Sequence, residues 1–317
     1  MTGIDDIRAA QQYLHGRVHR TPLIATRTLG ERIGATLLLK AETFQRTGSF
    51  KVRGVLNRLR HLTPGERARG LVTVSAGNHA QAVAYAAALE GIRATVVMPE
   101  HAVQAKVDAS RAYGADVVLH GDVFAAFARM EELREERGLT LVHPFDDPDV
   151  IAGQGTVGLE ICEDLPDVDV VVVPVGGGGL IGGVSAAVRA LRPEARIVGV
   201  EPTGSAALTR GLAEGAPVRL ARSDTIADGL GAPMTGPNAL AHARAFVDEV
   251  VLVGDDDIAA ALRAILERCK VLVEPAGAAA VAALLSGAVS VPPGARVVAV
   301  LSGGNIDLQR LRQLLAS

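Results

Sequence analysis

Tryptophan is absent from this 317-residue chain, and aromatic residues amount to only 3%. Hydrophobic residues still reach 49%, so the core has to be built from Ala, Val, Leu and Ile, which suits helices packed on parallel strands. Only two cysteines occur, Cys162 and Cys269. They lie far apart, lack metal-ligand spacing and fall in apolar helical patterns, so both read as buried free thiols. Dense basic runs are missing and the formal net charge is -3, which excludes nucleic acid and an anionic membrane surface as the main partner and leaves a small molecule. No stretch is long enough to span a bilayer without Gly or charge. The start Met1-Thr2-Gly3-Ile4-Asp5-Asp6 has neither the basic residues nor the apolar run of a signal peptide, so the expected location is cytoplasmic.

What is present alternates. Short β-branched runs at 71–74, 94–98, 116–119, 168–175, 196–200 and 296–301 are separated by Ala/Leu-rich amphipathic runs at 78–90, 103–113, 123–137, 181–191, 258–270 and 276–285. This pattern predicts βαβ units and an α/β fold with parallel sheets. The length calls for one large domain or two lobes with a deep cleft. Val142-His143-Pro144-Phe145-Asp146-Asp147-Pro148 reads as a boundary returning the chain from a smaller lobe to a larger one, and Pro292-Pro293-Gly294 as the loop before the last strand.

Four segments carry chemistry. In Thr47-Gly48-Ser49-Phe50-Lys51-Val52-Arg53-Gly54, a lysine sits beside an aromatic ring at the start of a helical stretch. A buried lysine loses part of its charge to desolvation and becomes a nucleophilic amine, as a Schiff base to an aldehyde cofactor requires. Pro174-Val175-Gly176-Gly177-Gly178-Gly179-Leu180 links a strand to a helix, and its bare N–H groups with the helix's positive end suit a phosphate; a tight turn with no ligand fits the same residues. It lacks the Lys-Ser/Thr of a Walker loop, and Glu201, followed by Pro202, is the only acid near a ribose-binding place. Val74-Ser75-Ala76-Gly77-Asn78-His79 is a polar strand-to-helix turn in which Ser75 can cap the helix and Asn78 can hold a carboxylate or phenolic oxygen. His79, just inside that helix, reads as a structural hydrogen-bonder. Leu301-Ser302-Gly303-Gly304-Asn305 ends the last strand, and in an open α/β sheet all these turns would face one crevice.

In this order, and across nearly the whole chain, the motifs resemble the fold-type-II pyridoxal-phosphate enzymes, in the threonine/serine dehydratase and serine racemase branch. The resemblance rests on residues 40–51, Ser75-Ala76-Gly77-Asn78-His79, the tetraglycine loop, Asp228-Gly229, Val273-Glu274-Pro275-Ala276-Gly277-Ala278 and Ser302-Gly303-Gly304-Asn305. Neither the Asn-Pro-x-x-Ser-x-Lys nor the Thr-Ser-Gly-Asn-Thr-Gly motif of cysteine synthases appears. The resemblance implies a two-lobe, tryptophan synthase β-like architecture, with a large cofactor-binding domain of residues 1–66 and 146–317 and a small mobile domain of residues 67–145. It implies pyridoxal 5'-phosphate carried on Lys51, with Phe50 against the ring, Gly176, Gly177, Gly178, Gly179 and Leu180 at the phosphate, Asn78 at the phenolic oxygen, Ser302 at the ring nitrogen, and Glu274 and Gly303 alongside. Ser75, Ala76, Gly77, Asn78 and His79 would take the substrate carboxylate. The implied reaction is loss of water and ammonia from threonine or serine; 3-hydroxyaspartate, phenylserine or another β-hydroxy amino acid is the alternative. A homodimer or homotetramer is implied as well.

Three departures sharpen the expectation. Racemases of this branch resemble Ser-Ser-Gly-Asn-His at the second motif, where the second serine is the acid–base group opposite the lysine. Here that position is Ala76, and a methyl group carries no proton, so dehydration with little racemisation is expected. In metal-dependent members an Asp follows the position of Glu201 by six residues; here Ala207 stands there, and no metal is expected. The chain ends at Ser317 after a helical run at 306–315, which leaves no residues for the C-terminal regulatory module of longer threonine dehydratases. Two other classes remain open from the residues: a nucleotide-binding oxidoreductase, and a non-catalytic cofactor sensor.

Overall fold

The computed structural model describes residues 1–316. The chain begins with α1 (Ile4–Leu14), β1 (Leu23–Ala25), α2 (Arg27–Ile33), β2 (Thr36–Ala41), α3 (Lys51–Arg60) and α4 (Pro64–Arg69). It continues through β3 (Leu71–Val74), α5 (Asn78–Leu89), β4 (Ala94–Met98), α6 (Gln104–Ala112), β5 (Asp116–Leu119), α7 (Val123–Arg137) and β6 (Thr140–Leu141). After α8 (Pro148–Asp164) come β7 (Val170–Pro174), α9 (Gly179–Leu191), β8 (Arg196–Pro202), α10 (Ala207–Glu214), α11 (Pro237–Phe246) and β9 (Glu249–Val253). The final elements are α12 (Asp255–Cys269), α13 (Pro275–Leu285), β10 (Arg296–Leu301) and α14 (Leu308–Ala316).

Two sheets result. Six strands run in the order β1-β2-β10-β7-β8-β9, and four in the order β5-β4-β3-β6. Only the β1–β2 pair is antiparallel; every other pairing is parallel. The α/β class with parallel sheets read from the sequence is therefore the architecture observed. β7 and β10 are buried along nearly their whole length, as expected for strands covered on both faces, and the alanine-rich α13 is buried on all sides against the larger sheet. No helix among the described residues is long and apolar enough to cross a membrane.

α8 is the largest element that the pattern did not reveal. Its glycines, poor helix formers, obscure the periodicity. A Cβ at Gly153 would lie 2.5 Å from the Arg53 carbonyl oxygen, and one at Gly158 would lie 2.8 Å from that of Val184. These glycines let α8 seat directly on α3 and α9, so tertiary contact outweighs intrinsic propensity. The reading of two buried thiols holds for Cys162, whose thiol burial pushes up to about 11. Cys269 departs from it: it ends α12 only half-buried, with Sγ 3.4 Å from the Thr26 hydroxyl.

Candidate active site

β3, β7 and β10 are parallel strands, and the turns that follow their carboxyl ends open onto one cavity of about 610 Å³, together with Lys51 and Glu274. This is the crevice position expected of an open α/β sheet.

Lys51 is the first residue of α3. The approach to it is unusual, because Thr47 has a φ of 61° and Gly48 one of 71°, conformations that are costly for a β-branched residue. The loop is zipped to the end of β10: Ser49 pairs with Gly303, the Phe50 N–H donates to the Ser302 carbonyl at 3.2 Å, and the Gly304 N–H donates to that of Gly48 at 2.9 Å. The Lys51 amine donates to the Pro144 carbonyl at 2.7 Å and lies 5.2 Å from the centre of the Phe50 ring. Burial lowers its pKa to about 8, against a partial opposing pull from Glu274. A substantial neutral fraction near pH 8 makes it a nucleophile.

Two residues further along α3, Arg53 is fully buried among charges. Its Nε lies 2.8 Å from Glu42 and its Nη1 2.7 Å from Glu160, while Lys40 reaches Glu160 at 2.6 Å. Two cations thus meet two carboxylates, which ties α3 to β2 and α8 and fixes the helix that presents Lys51. Breaking one partner of such a set typically costs ~3–5 kcal/mol.

The polar turn differs in one detail from its reading in the sequence. Gly77, not Ser75, is the N-cap of α5. The Ser75 hydroxyl accepts from the Gly77 N–H at 3.2 Å, holding the turn open ahead of the helix start. Asn78 Nδ2 donates to Glu274 Oε1 at 2.6 Å. His79 is buried, its Nε2 lies 3.0 Å from the Val142 carbonyl oxygen, and desolvation with the Lys51 charge lowers its pKa to about 3. Its imidazole is therefore neutral and tied to the backbone just after β6.

Gly178 is the left-handed N-cap of α9, with a φ of 94°. First-turn N–H groups of a helix have no partner in the helix itself, and no acceptor among the described residues takes those of Gly177, Gly178, Gly179 or Leu180. The glycines also answer to packing. A Cβ at Gly177 would collide with the Phe145 ring, one at Gly178 would meet the Ala239 Cβ at 2.6 Å, and one at Gly179 the Phe145 carbonyl oxygen at 2.7 Å. Ser302, 3% exposed, and Glu274 complete the wall. Burial raises the Glu274 carboxyl to about 7, with the Asn78 hydrogen bond opposing.

Several lining residues carried no sequence signal of their own. Pro144 and Phe145 belong to the segment read only as a lobe boundary, and Lys106 faces Asp228 at 3.5 Å across the cavity mouth. Glu201 stands outside the cavity. Its carboxylate accepts from the Leu208 and Thr209 N–H groups, both at 2.8 Å, and from the Thr209 hydroxyl at 2.6 Å, so it anchors the start of α10. No group of three or more His, Cys, Asp or Glu side chains among the described residues is placed to hold a metal ion.

A buried amine of lowered pKa and a glycine-rich helix start thus line one cleft, a combination with the chemistry that a phosphorylated aldehyde calls for. The family model described as pyridoxal-phosphate dependent enzyme matches residues 14–303. The chain is 47% identical to an L-threonine ammonia-lyase of Thermotoga maritima, over 99% of this chain and 78% of that protein. Its structure superposes on maize serine racemase with a TM-score of 0.94, at 38% identity, covering 99% of this chain and 97% of that one. On the processed threonine deaminase isoform 2 from Solanum lycopersicum the TM-score is 0.92, at 38% identity, with 99% and 94% covered. The chain belongs to the pyridoxal-phosphate dependent enzymes, in their threonine/serine dehydratase and serine racemase branch, and its cofactor is pyridoxal 5'-phosphate. The residues present fit that group: an amine able to lose its proton for the aldehyde, unpaired N–H groups for the phosphate, and a buried hydroxyl at Ser302.

Proposed function

We propose that the protein is a dehydratase that converts L-threonine, and L-serine, to the 2-oxo acid and ammonia. The observation that carries this reading is that Lys51 and Ala76 line one cavity, which supplies a base but no hydroxyl at the racemase position. The names of its relatives support the choice of threonine.

Lys51 would hold the cofactor, Phe50 would flank the ring, and Gly176, Gly177, Gly178, Gly179 and Leu180 would receive the phosphate at the α9 N-terminus. Asn78 would meet the phenolic oxygen, Ser302 the ring nitrogen, with Glu274 and Gly303 beside them. When bound, the cofactor supplies an electron sink that acidifies the substrate's α-carbon. The Ser75, Ala76, Gly77, Asn78 and His79 turn orients the substrate by its carboxylate, aided by the positive end of α5. Once the substrate's amino group has displaced it from the aldehyde, Lys51 would be free as a neutral amine and would remove the α-proton. The Ser302 hydroxyl is neutral and would not hold the ring nitrogen protonated, so the cofactor would supply a weaker electron sink, which favours loss of the β-hydroxyl, the α-proton making up the water overall. The released enamine takes up water and yields ammonia and a 2-oxo acid, 2-oxobutanoate from threonine or pyruvate from serine.

The four-stranded sheet, with the helices around it, forms a small mobile domain of residues 67–145, and residues 1–66 and 146–317 form the large one. Support comes from the separate sheets and from a cavity lined by residues of both parts. The working form is a cytoplasmic homodimer or homotetramer. A panel of β-hydroxy amino acids assayed for 2-oxo acid release tests the activity: threonine and serine should turn over, and preference for 3-hydroxyaspartate or phenylserine would overturn the substrate assignment.

A further inference from the structure

Asn305 follows β10 and joins three segments through one amide group. Its Nδ2 donates to the Thr47 carbonyl at 2.7 Å and to Asn78 Oδ1 at 2.8 Å. The direction of this chain is fixed by the backbone. A carbonyl oxygen can only accept, so Asn305 must present its NH2 group to Thr47. The second hydrogen of that group then requires the oxygen end of Asn78. With its oxygen committed, Asn78 must turn its own NH2 group the other way, where it meets Glu274 Oε1 at 2.6 Å. The fit is tight as well, since a Cβ at Gly48 would run into the Asn305 side chain. Thr47, held in a left-handed conformation at φ 61°, has its carbonyl fixed by the same amide.

We propose that Asn305 is a positioning residue that sets the rotamer of Asn78, so that the Asn78 NH2 group, with one hydrogen on Glu274, keeps the other for the cofactor, and that locks this arrangement to the loop carrying Lys51. This rests on the reading above in which Asn78 meets the phenolic oxygen. Asn305 itself does not line the cavity. It acts through a side chain that does, on the segment after β3, from the segment after β10. Any shift of the lysine loop is thereby transmitted to the donor that tunes the cofactor.

The test is a double-mutant cycle on the holoenzyme, with Asn305→Ala, Asn78→Ala and both together. The readouts are the absorption maximum of the bound cofactor and its pH titration, the cofactor dissociation constant, kcat and KM for threonine, and the melting temperature. Asn305→Ala should shift the absorption in the same direction as Asn78→Ala and lower kcat about tenfold while KM changes less than about twofold. Added to Asn78→Ala, it should cost less than about a further twofold, because residues acting as one unit are not additive. If the two losses multiply, or if Asn305→Ala lowers only the melting temperature and leaves the absorption alone, the role is wrong. If Asn78→Ala itself leaves the absorption unchanged, the placement of Asn78 at the cofactor fails and the Asn305 role falls with it. A change in Asn78→Ala that Asn305→Ala does not share overturns the Asn305 role alone. Asn305→Asp, of nearly equal shape but without the donors, gives the same readouts should the alanine variant not fold.

Discussion

The amine of Lys51 donates to the carbonyl oxygen of Pro144 across 2.7 Å, so the nucleophile is held by the segment through which the chain passes from the four-stranded sheet to α8. That contact is to a neutral acceptor and does not stabilise the ammonium form as a carboxylate would. Burial therefore dominates and lowers the pKa from 10.5 to about 8. Only the neutral amine attacks an aldehyde, so the rate of cofactor uptake by the cofactor-free protein should rise with pH and level off with a midpoint near 8. Rapid mixing followed by absorbance would measure it. A rate still climbing at pH 10 would show an ordinary, solvated lysine.

Glu274 adds a dependence of stability on pH. Burial raises its carboxyl to about 7, against 4.5 for a free one. Between those values the unfolded chain has released its proton and the folded chain retains it, so stability falls as pH rises. The contribution is fully present below 4.5 and lost above about 7, with a span of ~3 kcal/mol. Glu274→Gln should flatten this slope in urea unfolding of the cofactor-free protein at pH 5 and pH 7.5. An unchanged slope would mean that the carboxylate is already ionised in the folded protein.

Lys51 stood out as a lysine beside an aromatic ring at the start of a helix. The tetraglycine loop and the Ser75 to His79 turn were legible because each couples breakers or polar groups to the end of an apolar strand, a local pattern. The parallel sheets were legible for the same reason. Legibility failed where meaning depends on a distant partner. α8 conceals its helix behind glycines that exist for α3 and α9. β2 is not among the strands predicted from the pattern, and its place comes from parallel pairing with β10, far along the chain. Ser75 looked like a cap because a hydroxyl before a helix usually is one, and only the backbone shows the helix starting after Gly77. Phe145 sat among prolines and acids that signalled a loop, and nothing local announced that its ring would cover the glycine turn.

That cover makes a separable prediction. Gly177→Ala should lower the melting temperature and weaken cofactor binding, since overpacking typically costs ~1–3 kcal/mol and the added methyl meets the Phe145 ring. Adding Phe145→Ala should restore part of both. If the second substitution restores stability but not cofactor affinity, the phosphate itself requires glycine at 177; if it restores neither, the collision is not the cause.

Ala76 is the residue on which the choice between elimination and racemisation is predicted to turn. It lies half-buried between Ser75 and Gly77 on the cavity wall formed by the turn after β3, while Lys51 projects from α3. Racemisation needs a proton removed on one face of the α-carbon and another delivered on the opposite face. A methyl group delivers none, so the enzyme should form little D-serine while it dehydrates L-serine. Ala76→Ser introduces the missing hydroxyl. One positioned acid–base group is worth ~10²–10⁴-fold when optimally placed, so even an imperfectly seated serine should raise D-serine formation by at least about tenfold. Chiral chromatography of unreacted serine, read beside pyruvate release, measures both fates at once. Abundant D-serine from the unsubstituted enzyme, or none from an Ala76→Ser variant that still dehydrates, would show that the proton on that face comes from another group.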